Sequence, residues 1–258
     1  MTHTPSPQNF ANLETFSRSL ASSSRPALIW YGPDSERIEL SGKVTENWIA
    51  KSANLFVDEL DAAHGDSLDV AAPPHWRSIA ATLGALRAGC VVNSDNEAST
   101  FWLGFDVDDR AAEAETAVFM ARGALAMSYD QEVQQWPDDS LDYCAEIRSF
   151  GDLFDPIDAV MGSHRIGRAV VNGAYQTVTL NEWLELASSW CDRVAQTDDD
   201  RQGIMVDAGS QPLNLDFLAR VCGIVAAGKA LVLVDSSVGR HEERLATIAS
   251  EEKAEFLD

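Results

Sequence analysis

The chain has little positive charge and no segment of the kind that enters or crosses a membrane. Its 258 residues include 19 Lys and Arg against 41 Asp and Glu, which gives a formal net charge of −22. Such an acidic surface repels phosphate backbones and anionic lipid, which argues against nucleic acid and membranes as partners. No run approaches the roughly 20 apolar residues that span a bilayer. Because the first residues also lack the basic start and apolar core of a signal peptide, we expect a cytoplasmic protein.

Motifs for metal binding and nucleophilic catalysis are also missing. The five histidines have no metal-ligand spacing, the four cysteines form no CxxC pair, and no GxSxG elbow occurs. Cys90, Cys191 and Cys222 lie in apolar patterns typical of buried thiols in a reducing compartment. His75 is predicted to be a surface residue. The acidic runs at 106–109 and 198–200 lack the glycine and glutamate of a calcium loop and are interpreted as solvated loops. We therefore predict no metal and no cofactor.

A motif that occurs twice predicts the architecture. Residues 74–95 and 212–235 each contain a proline, an amphipathic helix that ends in Ala-Gly, and a short apolar strand closed by an aspartate. In this alignment Gly84 corresponds to Gly223, and Gly89 to Gly228. Glycine after the last turn is typical of a helix C-terminus, and a continuous apolar strand is typical of a parallel sheet. The alternation predicts βαβ units with right-handed crossovers.

Hydrophobic periodicity extends this pattern over most of the chain. We predict a helix that begins at Asn9, a long helix capped by Thr45, and a helix capped by Asn181 or Thr179. Asn172-Gly173 predicts the turn of a hairpin over 168–180. Strands are predicted at 27–32, 36–42, 67–72, 90–93, 124–128, 203–208 and 230–235, among others. The fold class is therefore a three-layer α/β fold of two βαβ-based lobes, with an N-terminal extension and helix over 1–24, a first lobe over 25–160 and a second over 161–258.

The order of these blocks resembles that of the adenylate-forming enzymes, which include acyl-CoA synthetases, nonribosomal peptide synthetase adenylation domains and luciferases. The run Leu86-Arg87-Ala88-Gly89-Cys90-Val91-Val92 is similar to the family's helix end, Leu-Lys-Ala-Gly, and the buried strand after it. Gly203–Asp235 resembles a later block, and 241–258 looks like the next helix and strand. The resemblance covers about residues 25–258, corresponds to the first half of a full-length member, and extends to a short actinobacterial family of the same truncated form. It implies the N-terminal part of that fold.

The same resemblance implies a phosphate loop between the two blocks. In the family this loop has the form Thr-Ser-Gly-Thr-Thr-Gly-x-Pro-Lys-Gly, and its amides, hydroxyls and lysine hold ATP. The corresponding stretch here, Met161–Val170, keeps one serine and two glycines but not the threonines or the lysine. The family's Tyr-x-x-Thr-Glu block and C-terminal catalytic lobe have no counterpart in these residues. Because the charge that develops on phosphate would have little to offset it, we expect no adenylation by this chain alone.

Three functions stay open. The first is a degenerate, non-catalytic protein that binds a partner or a small ligand. The second is one half of a split acyl-adenylating enzyme completed by a second polypeptide, and the third is a nucleotide or acyl-group binding module. A ligand is expected in the crevice at the carboxyl ends of the parallel strands, between the loops Ala71–His75, Ser163–Gly167 and Asp207–Gln211. We predict that Ser163, Arg165, Gly167 and Asp207 bind it.

The truncated form also predicts association. In a longer relative, later segments would cover sheet edges and apolar surface that this chain leaves open. We therefore expect either a homodimer or a protein partner.

Overall fold

Two sheets enclose a layer of helices. The computed structural model describes residues 11–93, 99–129, 137, 139–171, 173–197, 200–238 and 242–257. Within these ranges the α-helices are α1 (Leu13–Ala21), α2 (Gly42–Asn54), α3 (Trp76–Ala88), α4 (Tyr143–Glu146), α5 (Leu180–Val194), α6 (Leu215–Ala226) and α7 (Glu242–Glu251). The strands are β1 (Pro26–Tyr31), β2 (Arg37–Ser41), β3 (Ser67–Val70), β4 (Val91–Val92), β5 (Phe101–Gly104), β6 (Thr116–Phe119), β7 (Ser140–Asp142), β8 (Arg165–Val171), β9 (Ala174–Thr179), β10 (Gly203–Asp207), β11 (Ala230–Val234) and β12 (Ala254–Phe256).

The strands that the structure describes form one sheet of five and one of seven. Sheet A has the order β12-β10-β11-β1-β2, and sheet B has the order β7-β6-β5-β3-β4-β8-β9. Neighbouring strands are parallel except for the antiparallel edge strands β2 and β9. Helix α6 contacts β11 of sheet A and β8 of sheet B, and one hydrophobic core joins Leu231, Ile79 and Leu68 from sheet A, α3 and sheet B. The arrangement of sheet, helices and sheet confirms the predicted α/β fold class.

Each sheet contains strands that precede residue 160 in the sequence and strands that follow it. In sheet A, Tyr31 of β1 is in register with Val234 of β11. In sheet B, Val92 of β4 is in register with Gly167 of β8. The boundaries of the lobes over 25–160 and 161–258 stay a prediction.

The repeated motif marks two equivalent helix crossings. A methyl carbon placed on Gly84 of α3 would lie 2.5 Å from Ser52 Cβ of α2, and one on Gly223 of α6 would lie 2.4 Å from Trp190 Cβ of α5. Both distances are far below van der Waals contact, so each crossing requires glycine. Gly89 and Gly228 end their helices with φ angles of 96° and 79°, as the Ala-Gly pattern predicts.

Helix starts differ from several of the predicted caps. Ser41 caps α2 by accepting a hydrogen bond from the Val44 N–H, and the predicted cap Thr45 instead lies in the second turn and donates its hydroxyl to the Ser41 carbonyl. Thr179 caps α5. Helix α1 begins after the cap Asn12, whose side chain accepts a hydrogen bond from the Thr15 N–H. The predicted cap Asn9 lies outside the described residues.

The hairpin predicted over 168–180 is confirmed as β8 and β9. The predicted strand over 124–128 is wrong, because these residues form a loop. Among the residues described, no helix combines the length and apolar character needed to cross a bilayer.

Candidate functional site

The structure places three of the four predicted binding residues at or near the start of β8. Ser163 is exposed in the turn before β8, and Arg165 is exposed at its first position. Gly167 is buried, and a methyl carbon placed on it would lie 2.2 Å from the Val92 carbonyl oxygen. Because β8 runs parallel to β4, Ser163 and Arg165 lie where the parallel strands of sheet B begin. The predicted crevice lies at the other side of the sheet, at the carboxyl ends of these strands. The structure does not bring them into the predicted crevice.

Asp207 lies elsewhere, at the carboxyl end of β10 in sheet A. Its side chain is exposed, and its Oδ1 accepts a hydrogen bond of 2.8 Å from the Gly209 N–H. The loop that follows reaches sheet B, where the Leu213 N–H donates to the Ala72 carbonyl oxygen at 2.8 Å. The loops after β3 and β10 are therefore neighbours, as the crevice prediction requires, whereas the segment before β8 is remote from both.

The stretch aligned with the family's phosphate loop is mostly a strand. Residues 165–171 form β8, which pairs with β9 along its length and with β4 at Gly167. The Val170 N–H donates to the Asp216 carboxylate at 2.9 Å. A phosphate-binding loop instead directs several unpaired backbone N–H groups at one anion. Met161–Val170 therefore does not have the form of such a loop.

Arginines partly neutralise the acidic run at 106–109. Arg122 pairs with Asp106 at 2.5 Å, and Arg110 pairs with Asp108 at 2.7 Å and with Asp69 at 3.1 Å. In the ranges that the structure covers, no group of three His, Cys, Asp or Glu residues could hold a metal ion. The second acidic run includes residues 198 and 199, which lie outside those ranges.

The cysteines are buried as predicted. Cys90, Cys191 and Cys222 are buried, and Cys144, for which burial was not predicted, is buried as well. Burial raises the pKa of the Cys90 and Cys222 thiols well above the usual range, and it raises that of Cys191 to about 11. Thiols with raised pKa values are poor nucleophiles, so these side chains contribute to packing.

Sequence reasoning missed a polar and aromatic cluster at the carboxyl end of β3. His75 was predicted to be a surface residue, but it is 1% exposed. It caps α3, because its Nδ1 accepts a hydrogen bond of 3.1 Å from the Arg77 N–H. Its ring makes edge contacts with Trp30 and Phe105 at centroid distances of 4.5 and 5.0 Å. The tight aromatic packing explains why the prediction was wrong.

The protonation state of His75 follows from this environment. Burial holds its pKa well below the ordinary value, and the positive charges of Arg77 and Arg122 act in the same direction. The ring is therefore neutral near pH 7. Since Nδ1 accepts a hydrogen bond, we assign the proton to Nε2, where it makes the atom a donor.

Two buried indole nitrogens in this cluster have no hydrogen-bond partner among the described residues. They are Nε1 of Trp30 and Nε1 of Trp76. Each residue is no more than 2% exposed. Buried donors are almost always paired, and leaving one unpaired costs about 1–3 kcal/mol. This concentration of unpaired donors distinguishes the cluster as the candidate site.

Arg77 fixes the loop that closes the cluster. The side chain of this residue is buried, and its guanidinium donates to the carbonyl oxygens of Ala121 at 2.7 Å, Gly123 at 2.6 Å and Ala124 at 3.0 Å. It also stacks on the Trp76 ring, 4.5 Å from the centroid. These bonds hold the segment after β6 as a loop, which explains why the strand predicted over 124–128 does not form.

A cavity of about 770 Å³ opens beside this loop. Its wall consists of Glu36, Arg37, Ile38 and residues 123–128. Glu36 Oε1 accepts a hydrogen bond of 2.7 Å from the Ala124 N–H, which ties the two sides of the cavity together. The sequence signal that could have indicated this site is the polar pair His75 and Arg77 at the start of a helix rich in Ala and Leu.

Comparisons with known proteins agree with the architecture. No family model matches the chain. A Mycobacterium tuberculosis protein described as "TIGR03089 family protein" is 32% identical over 127 residues, which are 47% of this chain and 51% of that protein. A variant of coronafacic acid ligase from Pectobacterium brasiliense has a TM-score of 0.66 at 11% identity, covering 95% of this chain and 48% of that one. Acyl-CoA synthetase from Brucella canis has a TM-score of 0.65 at 16% identity, covering 88% of this chain and 43% of that one.

These likenesses establish the fold. The chain folds as the N-terminal part of the adenylate-forming enzymes, as the sequence resemblance implied. It spans about half the length of the proteins that it matches. The identities with the solved structures are too low to transfer an activity, so function must be argued from the site.

Proposed function

We propose that this chain is a non-catalytic, small-ligand-binding protein built on the N-terminal scaffold of the adenylate-forming enzymes. The observation that carries the proposal is the pairing of β8. Of the residues that correspond to the phosphate loop, 165–170 lie in β8, which pairs with β9 and, at Gly167, with β4. The Val170 N–H is bonded to the Asp216 carboxylate. A triphosphate would find no cradle of free amides there.

The charges near β8 support the same conclusion. Arg165 is exposed, and Arg168 stacks over the Tyr175 ring at 4.7 Å and donates to the Tyr175 carbonyl at 3.3 Å. Stabilising the charge that develops during adenylation requires donors held in place beforehand. One exposed arginine and one arginine packed on a tyrosine do not form such an arrangement.

The direct test is pyrophosphate release. The purified chain is mixed with ATP, magnesium and a set of carboxylic acids, with a full-length acyl-CoA synthetase as the positive control. We expect no release above the buffer level. Turnover by the isolated chain would contradict the proposal, and turnover only with a co-expressed second polypeptide would replace it with the split enzyme.

Thermal-shift measurements test the nucleotide-binding alternative. We expect no shift with millimolar ATP, AMP or acyl-CoA. Should a shift occur, Arg165→Ala tests whether the predicted residues cause it, with the exposed Arg201→Ala as the matched control. A shift that Arg165→Ala abolishes and Arg201→Ala retains would support a nucleotide or acyl-group binding module instead.

A further inference from the structure

Residues 150–161, which precede β8 and form neither helix nor strand, expose three large apolar side chains. Leu153 is 89% exposed, Ile157 is 99% exposed and Met161 is 60% exposed. The three recur at every fourth position, so apolar groups meet solvent along most of the segment. Single exposed apolar residues are ordinary on a protein surface, whereas several that lie together commonly mark a surface that a partner covers.

Other apolar residues of the same segment face the protein. Phe150 and Val160 are partly buried and pack against the hydrophobic core. The Phe154 ring lies under the Arg87 guanidinium, with 5.1 Å between the ring centroid and the central carbon of the guanidinium. These contacts explain how the segment attaches to the fold. They do not explain the three side chains that face outward, which mainly contact solvent.

Polar side chains of α2 hold the backbone at the start of the segment. The Lys51 ammonium donates a hydrogen bond to the Phe150 carbonyl oxygen. Asn54 Nδ2 donates to the carbonyl oxygens of Gly151 and Leu153, both at 2.9 Å. These bonds take up backbone acceptors on the side that faces the protein, and the Leu153 side chain is left on the side that faces solvent.

Two further hydrogen bonds hold the backbone on either side of Ile157. Arg87 of α3 donates to the Phe154 carbonyl oxygen at 3.1 Å. On the other side, His64 Nε2 donates to the Asp158 carbonyl oxygen at 2.9 Å. Because these bonds fix the segment before a partner arrives, binding does not have to order it, and part of the entropy cost of association is removed.

The charge of the segment indicates what kind of partner fits it. Residues 150–161 contain Asp152, Asp155 and Asp158 and no Lys, Arg or His. Asp152 pairs with Lys51 at 2.8 Å, whereas Asp155 and Asp158 are exposed between the apolar side chains. A second copy of this chain, with its net charge of −22, would be repelled, and so would an anionic membrane. A surface that carries Lys or Arg would be attracted.

We propose that residues 150–161 are a docking surface for a protein partner whose binding groove is apolar and is rimmed by Lys or Arg. Leu153 and Ile157 enter the groove, and Asp155 and Asp158 face its basic rim. The inference goes beyond the proposed function and does not depend on it, because the candidate site around His75 is formed by other residues.

The experiment selects binders of the full chain from a phage-displayed library of random short peptides, which contains basic, acidic and neutral sequences. We expect enrichment of peptides that combine Lys or Arg with large apolar residues. A synthetic consensus peptide with a fluorescent label then gives the affinity by fluorescence anisotropy. Because salt screens the pairs between aspartates and basic residues, we expect the affinity to fall about tenfold between about 50 and about 300 mM NaCl.

Two matched pairs of variants locate the bound peptide. Leu153 and Leu125 are 89% and 88% exposed, but Leu125 lies on the loop after β6. We expect Leu153→Ser to weaken peptide binding about tenfold and Leu125→Ser to change it by less than about twofold. Asp155 and Asp109 are both exposed, and we expect Asp155→Asn, but not Asp109→Asn, to reduce the salt dependence. Melting curves confirm that the four variants are folded.

Three results would overturn the inference. The first is a selection that enriches no peptide, or only peptides without Lys and Arg. The second is equal weakening by the two leucine variants, which would place the peptide elsewhere. The third is self-association at high salt that Leu153→Ser abolishes and Leu125→Ser retains, which would assign the surface to a second copy. None of these results involves pyrophosphate release, so the docking surface can fail while the proposed function stands.

Discussion

His75 combines three properties that are rarely found in one histidine. It caps a helix through Nδ1, is almost completely buried, and packs its ring against the rings of Trp30 and Phe105. Histidine is a less common helix cap than Ser, Thr, Asp or Asn. We attribute its presence to the ring, which fills the space among Trp30, Trp76 and Phe105 that a smaller cap would leave open.

The neutral state of His75 predicts a pH dependence of stability. Its folded-state pKa lies below the ordinary value, so the unfolded chain takes up a proton below about pH 6.5 that the folded chain does not. The stability that this residue contributes is complete above that pH and is lost as the pH falls. His75→Asn keeps a capping side chain but does not titrate. As the pH falls, we expect the free energy of unfolding of this variant to decrease less steeply than that of the wild type, by up to about 1.4 kcal/mol per pH unit.

Urea unfolding of both proteins between pH 5 and 8 measures this difference. Since other groups titrate equally in the two proteins, the comparison isolates His75. Parallel curves for the wild type and His75→Asn would contradict the assignment. Near-UV circular dichroism checks that the variant keeps its aromatic packing.

Gly84 and Gly223 determine how closely two pairs of helices approach. Alanine is a better helix former than glycine, so on propensity alone a Gly→Ala change in either helix should stabilise the protein. The added methyl at Gly84, however, would also lie 2.8 Å from the Ile49 carbonyl oxygen, and that at Gly223 would lie 2.7 Å from the Ala187 carbonyl oxygen. Backbone atoms cannot move aside as a flexible side chain would.

We therefore expect Gly84→Ala and Gly223→Ala each to lower the free energy of unfolding by about 1–3 kcal/mol. The matched control is Ser189→Ala on the exposed face of α5, for which we expect a change within about 0.5 kcal/mol. Urea unfolding at constant pH measures all three. A higher free energy of unfolding for either glycine variant would contradict this prediction, because it would show that the two helices can move apart without a loss of stability.

The sequence predicted elements whose signal is local. Continuous apolar strands such as Ala230–Val234, and the Ala-Gly helix ends, were recognised because each pattern is complete within a few residues. The loop over 124–128 was predicted as a strand because its run of apolar residues imitates one. Hydrogen bonds from Arg77, more than 40 positions earlier in the chain, hold these residues as a loop. A pattern of neighbouring residues cannot predict such a distant contact.

The candidate site was missed for the same reason. His75 meets Trp30 and Phe105 only because the loop after β3 packs against β1 and against the end of β5. The loops after β3 and β10 are neighbours, but ligand binding in the crevice between them stays a prediction.

Taken as a whole, the molecule carries a large negative charge and an open sheet edge. Strand β9 lies at one end of sheet B, and its residues Ala174–Thr177 are exposed. It contains no charged residue, although charges on edge strands commonly prevent pairing between copies. Because the net charge of −22 opposes close approach, salt should control any association through this edge.

We expect light scattering to show a larger dimer fraction at about 500 mM NaCl than at about 50 mM, where the Debye length is longer. Thr177→Lys places a charge on the edge and should keep the protein monomeric at both concentrations. Glu185→Lys on the exposed side of α5 is the control for a change of charge away from the edge. A mass that is independent of salt, or a dimer that Thr177→Lys retains, would contradict pairing through β9.

The pairing of β1 with β11 affects how the chain folds during synthesis. Tyr31 emerges early from the ribosome, but its partner Val234 follows only after most of the chain has been made. At roughly 5–20 residues per second, the delay is roughly 10 to 40 s. Sheet B, from β3 to β9, can assemble during that interval. The segment Ala27–Tyr31 can pair with β2 as soon as that strand is made, but its other edge must wait for β11, which makes this edge the natural contact for a chaperone on the nascent chain.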